Sequence, residues 1–215
     1  MPVSTIELAT PVIAYLLGAV PFALLIGGML GIDLRAVGSG NVGAGNLTRV
    51  AGLRYGAVAA LLDGLKGLVP VVIARRLGLS EAVAAAAGVM AVLGHNWSIY
   101  LRGRAGRGLA TAVGVLVALA PTLVLWPAFW AVAGWRLGGG LAGFVGWTLV
   151  APVALATGQP GVIVTTVTTI SIVVIARRVQ GWEGAPSGLR ARLERAVWDT
   201  DRAPATLDPE REAAS

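Results

Sequence analysis

The polar residues best placed for chemistry sit in two glycine-rich stretches. The first reads Gly38-Ser39-Gly40-Asn41-Val42-Gly43-Ala44-Gly45-Asn46-Leu47-Thr48-Arg49. Its glycines allow tight turns and close approach of a ligand to backbone N–H groups. Consecutive N–H groups in such turns make an anion-binding concavity. Ser39, Asn41, Asn46 and Thr48 add neutral donors, and the Arg49 guanidinium suits a phosphate. The second stretch reads Arg102-Gly103-Arg104-Ala105-Gly106-Arg107-Gly108-Leu109-Ala110-Thr111. Here arginines alternate with small residues just before a helix start, and a helix N-terminus beside Arg favours phosphate. Between the two lie Asp63 and Lys66, three apart and so on one helix face, and His95. Lys66 and His95 are the only lysine and histidine of the chain. The chemistry these residues support is the holding of phosphate or another anion. Plainer readings stand beside it: a Gly/Asn connector, an ion pair locking helices together, a structural histidine, and an Arg loop lying on anionic lipid. No Walker A Gly-Lys-Ser/Thr follows the first loop, and neither a Ser-His-Asp order nor a G-x-S-x-G elbow is present. A single histidine without cysteine gives no zinc set, so no metal or cofactor is expected.

These residues must be positioned by membrane helices. Of 215 residues, 56% are hydrophobic and 13% charged, with a mean hydropathy of +0.76. A soluble domain runs about 45–50% apolar and about 25% charged. Seven apolar runs stand out: 6–30, 55–74, 82–93, 109–120, 123–137, 141–156 and 162–176. Several fall short of the ~20 residues that cross a bilayer upright, and the fourth and fifth could form one kinked helix. The first run lacks a basic leader and is followed by further runs, so it reads as a span rather than a cleaved signal. Residues 1–176 carry ten basic and four acidic side chains, whereas 177–215 carry seven of each. The excess positive charge therefore lies among the spans, which does not point to nucleic acid despite a pI near 11.0. With the N-terminus outside, all interhelical arginines but Arg75 and Arg76 fall on the inner side, as the positive-inside rule requires. The expected fold class is all-α: a polytopic membrane protein of about seven transmembrane helices, N-terminus outside and C-terminus cytoplasmic. Residues 1–181 form the membrane domain. Residues 182–215 form a polar cytoplasmic tail, with an amphipathic helix over Arg190–Trp198 and disorder from about Thr200.

Tyr15 to Pro21, Asp33-Leu34-Arg35, the run Gly38–Asn46 with Arg49, Leu62-Asp63-Gly64-Leu65-Lys66-Gly67, and Gly94-His95 through Thr111 together form an ordered set of motifs. They resemble the bacterial acyl-phosphate:glycerol-3-phosphate acyltransferases, the PlsY family, over about residues 12–120. The resemblance implies a multi-pass enzyme of the bacterial plasma (inner) membrane with a cytoplasmic-side site. It implies acyl transfer from acyl-phosphate to the 1-hydroxyl of glycerol 3-phosphate, giving lysophosphatidic acid for phospholipid synthesis. Its partners are then those two substrates and membrane lipids, and no nucleic acid. The expected phosphate ligands are Ser39, Gly40, Asn41, Gly43, Asn46, Arg49, Arg104, Gly106, Arg107 and Thr111. His95, Arg49 and Arg104 are the expected catalytic residues, supported by Asp63, Lys66, Arg177 and Glu183. The sequence departs from the family pattern in places. Arg104 and Arg107 stand where lysines are usual, and Ala105 replaces a glycine. Ser98 stands where proline is usual. The serine-rich motif expected around 144–151 is absent, and the usual closing His and Asn fall on Ser171 and Val174. A re-purposed protein that binds or transports a phosphorylated lipid or other anion therefore remains the alternative reading.

Overall fold

In the computed structural model, which describes residues 4–103, 105–137, 139–181 and 188–198, the first apolar run is a broken helix. α1 (Thr5–Gly18) starts at a capping box, in which Ser4 Oγ accepts from the Glu7 N–H and the Glu7 carboxylate accepts from the Ser4 N–H. At Pro21, which has no N–H to bond the preceding turn, the chain leaves the helix. The chain restarts as α2 (Phe22–Met29). The carbonyls exposed at the break accept from side chains instead: Ser98 Oγ donates to Ala19 O at 2.6 Å and Lys66 Nζ to Val20 O at 2.8 Å.

The loop that follows, read from the sequence as an anion-binding loop, contains a helix, α3 (Ala44–Ala51). Ala44, Leu47 and Ala51 recur at helical spacing and pack with Leu34, Ala23 and Ala59. α4 (Leu53–Arg76) has 24 residues, a length of about 36 Å at 1.5 Å per residue, enough for a ~30 Å hydrocarbon core. α5 (Glu81–Asn96) is capped by Ser80, whose Oγ accepts from the Val83 N–H. A 3₁₀ turn at Ile99–Leu101 leads to the second glycine-rich loop and α6 (Leu109–Leu119). A further 3₁₀ turn, Pro121–Val124, separates α6 from α7 (Leu125–Leu137), so the fourth and fifth runs are two helices. α8 (Gly139–Ala156), α9 (Gly161–Gln180) and the amphipathic α10 (Leu189–Trp198) complete the order, and no strand occurs among the described residues.

All seven apolar runs are thus helical. Four segments, 5–29, 53–76, 81–101 and 161–180, are long and apolar enough to cross a membrane, while those between 109 and 156 are shorter apolar helices. Small residues set the closest pairings. A Cβ at Gly18 would strike the Ala91 backbone, and one at Gly94 would strike the Tyr15 carbonyl, so α1 and α5 touch backbone to backbone. Gly67 lies in the same way against the Thr111 carbonyl and Gly114 against that of Gly64, joining α4 to α6. Val71, Val92, Leu116, Trp147, Val150 and Ile170 fill the core between α4, α5, α6, α8 and α9. Outward-facing Leu8, Val12, Ile13, Leu61 and Ile172 suit a lipid surround. α10 packs on α8 and α9, with Arg195 donating to Val179 O at 3.1 Å. Arg75, an exception to the charge bias, pairs with Glu81 and donates to the Ala118 and Leu119 carbonyls, closing the C-terminus of α6.

Candidate functional site

The first glycine-rich loop is a folded turn held by one side chain. Asn46, 3% exposed in the first turn of α3, donates both amide protons, to Leu34 O at 3.1 Å and Val37 O at 3.0 Å. Its Oδ1 accepts from the Ser39 N–H at 2.9 Å. Gly38 sits against that Oδ1 with φ +62°, a left-handed conformation in a space too tight for a side chain. Ser39 Oγ in turn accepts from the Asn41 N–H at 3.4 Å. The turn is entered through a bidentate pair, Arg35 Nε and Nη2 to the Asp33 carboxylate at 2.9 Å each. Hydrogen bonds from Arg35 hold the Asp33 carboxyl below the usual carboxylate range. The structure therefore engages Asn46 wholly with its own backbone, while Ser39 and Asn41 stay half-exposed at the surface of the turn. Arg49 projects outward from α3, exposed and without a hydrogen-bond partner among the described residues.

Beside this turn lies a buried charged cluster. Asp63 and Lys66 pair at 2.8 Å with side chains 3% and 2% exposed, and His95 Nδ1 lies 3.6 Å from Asp63 Oδ1. Charges at such depth persist only when paired. Lys66 spends its remaining capacity on Val20 O and on the Phe22 ring, 5.7 Å away. The cluster thus bolts α4 to the break between α1 and α2, and it holds His95 at the junction.

The second loop is seated on the same junction. Gly106 lies against His95 Nε2, and Gly108 against Asn96 Oδ1, each too close for a Cβ. Gly108, with φ +74°, is the N-cap of α6. Arg177, in the last turn of α9, donates from Nη2 to Ala105 O at 2.8 Å and from Nη1 to Gly181 O at 2.8 Å. Thr111 is fully buried against α4, and its hydroxyl has no partner among the described residues. Arg107 is half-buried at the loop's rim. Arg104 and Glu183 lie outside the described residues.

A cavity of about 10 Å³ marks where these parts meet, lined by Ala19, Val20, Pro21, Val42, Asp63, Lys66, His95, Ala105 and Gly106. That is about the space of one water. The Asn41–Gly43 turn, the charged cluster and the Arg loop therefore converge at one end of the bundle. Thr111 is turned toward α4 instead. Four positioning residues escaped the sequence reading: Tyr15, whose hydroxyl donates to Trp97 O at 2.7 Å; Asn96; Ser98; and Gln180, which accepts from Trp97 Nε1 at 2.8 Å. For Ser98 the signal was Pro21, since a broken helix frees carbonyls that need donors. Ser171 bonds to Val167 O of its own helix and Val174 is fully buried, so neither offers the site a polar group.

Comparison with known proteins places this arrangement. Residues 8–182 match the family model described as glycerol-3-phosphate acyltransferase. A relative of that name from Rubrobacter xylanophilus is 43% identical over 158 residues, covering 72% of this chain and 79% of that protein. Others are 46% identical in Geotalea daltonii, over 56% of this chain and 62% of the relative, and 47% identical in Thermus thermophilus, over 54% and 59%. The matched stretch thus spans less than two thirds of those two relatives. Among solved structures, PlsY, an integral membrane glycerol 3-phosphate acyltransferase in its glycerol 3-phosphate form, superposes with a TM-score of 0.75 at 34% identity. It covers 81% of this chain and 88% of that one.

Proposed function

Because this chain belongs to the glycerol-3-phosphate acyltransferase family, we propose that it transfers an acyl chain from acyl-phosphate to the 1-hydroxyl of glycerol 3-phosphate, releasing lysophosphatidic acid and inorganic phosphate. The observation that supports this most strongly is the likeness to the glycerol 3-phosphate form of PlsY over most of both chains. Both substrates carry phosphates, and two anion-suited loops meet at the Asp63–Lys66–His95 junction. The Ser39–Gly43 turn with Arg49 would hold one phosphate, and Arg104, Arg107 and the α6 N-terminus the other.

The chemistry asks for positioning more than for a protein nucleophile. The 1-hydroxyl oxygen attacks the acyl carbonyl and forms the new ester. The carbonyl–oxygen bond to phosphate breaks, and the departing phosphate takes the hydroxyl proton. Backbone N–H groups and Arg stabilise the negative charge that builds on the carbonyl oxygen. His95, which lies against Gly106, would act by positioning the Arg loop rather than as a nucleophile. In this reading seven segments span a bacterial plasma membrane with the N-terminus outside, and the site opens on the cytoplasmic face. Residues 1–181 form the enzyme domain and 182–215 its appended tail.

The test is direct. Purified protein is mixed with palmitoyl-phosphate and labelled glycerol 3-phosphate, and lysophosphatidic acid is followed, with palmitoyl-CoA as control donor. Product from acyl-phosphate alone is expected. Absence of product, with glycerol 3-phosphate still bound, would instead identify a protein that binds its ligand without turnover.

A further inference from the structure

Beyond the phosphate site, a groove of about 300 Å³ runs between α6, α7 and α8. It begins at Leu109 and Ala110, the first turn of α6, directly after Arg107 and Gly108. Its walls are almost wholly apolar, with Val113 and Ala131 among them. A donor whose phosphate is held at the Arg loop would therefore enter it tail first.

A second cavity of about 640 Å³ lies farther along α7, and the two share no lining residue. Three aromatic side chains of α7 separate them: Trp130 lines the groove, whereas Trp126 and Phe129 line the second cavity. They interlock edge to face, Trp126 with Trp130 at 5.9 Å and 69°, and Phe129 with Trp130 at 5.4 Å and 82°. Trp126 is pinned to α8 by its Nε1, which donates to Gly146 O at 2.8 Å. At Gly146 a Cβ would lie 3.0 Å from the Trp130 Cβ, so any side chain there would shift Trp130 by a few tenths of an ångström. Gly146 and Trp147, both lining the groove, stand in the stretch where the sequence lacks the family's serine-rich motif.

We propose that this wall, with Trp130 at its face and Gly146 behind it, closes the acyl-chain groove and sets the longest chain the protein transfers. The inference rests on the acyltransferase reading above. A chain that reaches Trp130 cannot lengthen without displacing an interlocked ring, while removal of the ring lengthens the groove as far as Trp126 and Phe129. The Trp130 Nε1 has no hydrogen-bond partner among the described residues, so its removal breaks no hydrogen bond there.

The experiment compares wild type, Trp130→Ala and Gly146→Leu in lipid nanodiscs. Each is given saturated acyl-phosphates lengthened two carbons at a time, and kcat/KM is read for each donor. Burying one methylene favours a chain roughly fourfold. Trp130→Ala is therefore expected to raise kcat/KM by more than about tenfold for the first donor beyond the wild-type cutoff, leaving shorter donors unchanged. Gly146→Leu, which crowds Trp130 and adds its own side chain to the groove wall, is expected to move the cutoff to shorter chains. Wild-type cutoffs in both variants, or shifts in the same direction, would overturn the wall while leaving the acyltransferase reading intact. Loss of transfer from the shortest donors in both variants would also overturn it, since a wall touches only the distal end of a chain. No transfer by wild type from any donor would overturn both.

Discussion

Asn46→Ala tests how the first loop is built. Asn46 supplies two donors and one acceptor, the bonds that tie Leu34, Val37 and Ser39 to the first turn of α3. Truncation leaves the Leu34 and Val37 carbonyls and the Ser39 N–H without that partner. A net contribution of about 1 kcal/mol per hydrogen bond gives about 3 kcal/mol in favour of opening the turn. Because each ~1.36 kcal/mol is tenfold, kcat/KM for glycerol 3-phosphate should fall by up to roughly a hundredfold, through KM if the turn binds that substrate. The α1–α5 and α4–α6 backbone contacts do not involve this turn, so the unfolding temperature in detergent should move little. Limited proteolysis between Ala36 and Gly43 should accelerate alongside the kinetic loss. Asn46→Asp keeps the acceptor but faces two carbonyls with a carboxylate, so it should not rescue. An Asn46→Ala protein with wild-type KM and unchanged proteolysis would refute this account of the turn.

Other expectations follow from the same geometry. Arg49 is exposed and unpaired among the described residues, so Arg49→Ala should abolish acyl transfer with an unchanged melting temperature; retained activity would remove it from the site. Lys66→Met strands the Asp63 carboxylate in a buried setting at a cost of about 3–5 kcal/mol, visible as a large drop in Tm. The double variant Asp63→Leu/Lys66→Met should regain most of it, and failure to do so would show that the pair does more than neutralise itself. The chain has no cysteine, so single cysteines at Arg76 and Arg102 can report topology. Impermeant reagent should label them from opposite faces, and same-side labelling would break the proposed orientation.

Much of the helical plan was legible because apolar length and charge bias are local signals. The seven runs all fold as helices, and the Asp63–Lys66 spacing yields the expected ion pair at 2.8 Å. The amphipathic segment read at Arg190–Trp198 forms α10. What was missed depends on contacts between distant parts. α3 was hidden because its glycines and asparagine suggested a turn, although Ala44, Leu47 and Ala51 already carried the helical period. Asn46 read as a substrate donor because residue type alone cannot reveal that Leu34, Val37 and Ser39 take up its whole side chain. Ser98 and Lys66 gain their roles only once Pro21 frees two carbonyls in another element. Arg75 broke the charge bias because it serves the end of α6 rather than topology.

The Ser39–Gly43 turn and the Arg loop are proposed to form one site for the substrate phosphates. A structure of the protein determined with glycerol 3-phosphate bound tests it most directly. The phosphate is expected within hydrogen-bond reach of the Ser39–Gly43 amides, with the Arg49 side chain swung onto it and the 1-hydroxyl turned toward the Arg104–Gly108 loop. Phosphate bound away from both loops, with Arg49 still directed outward, would contradict it.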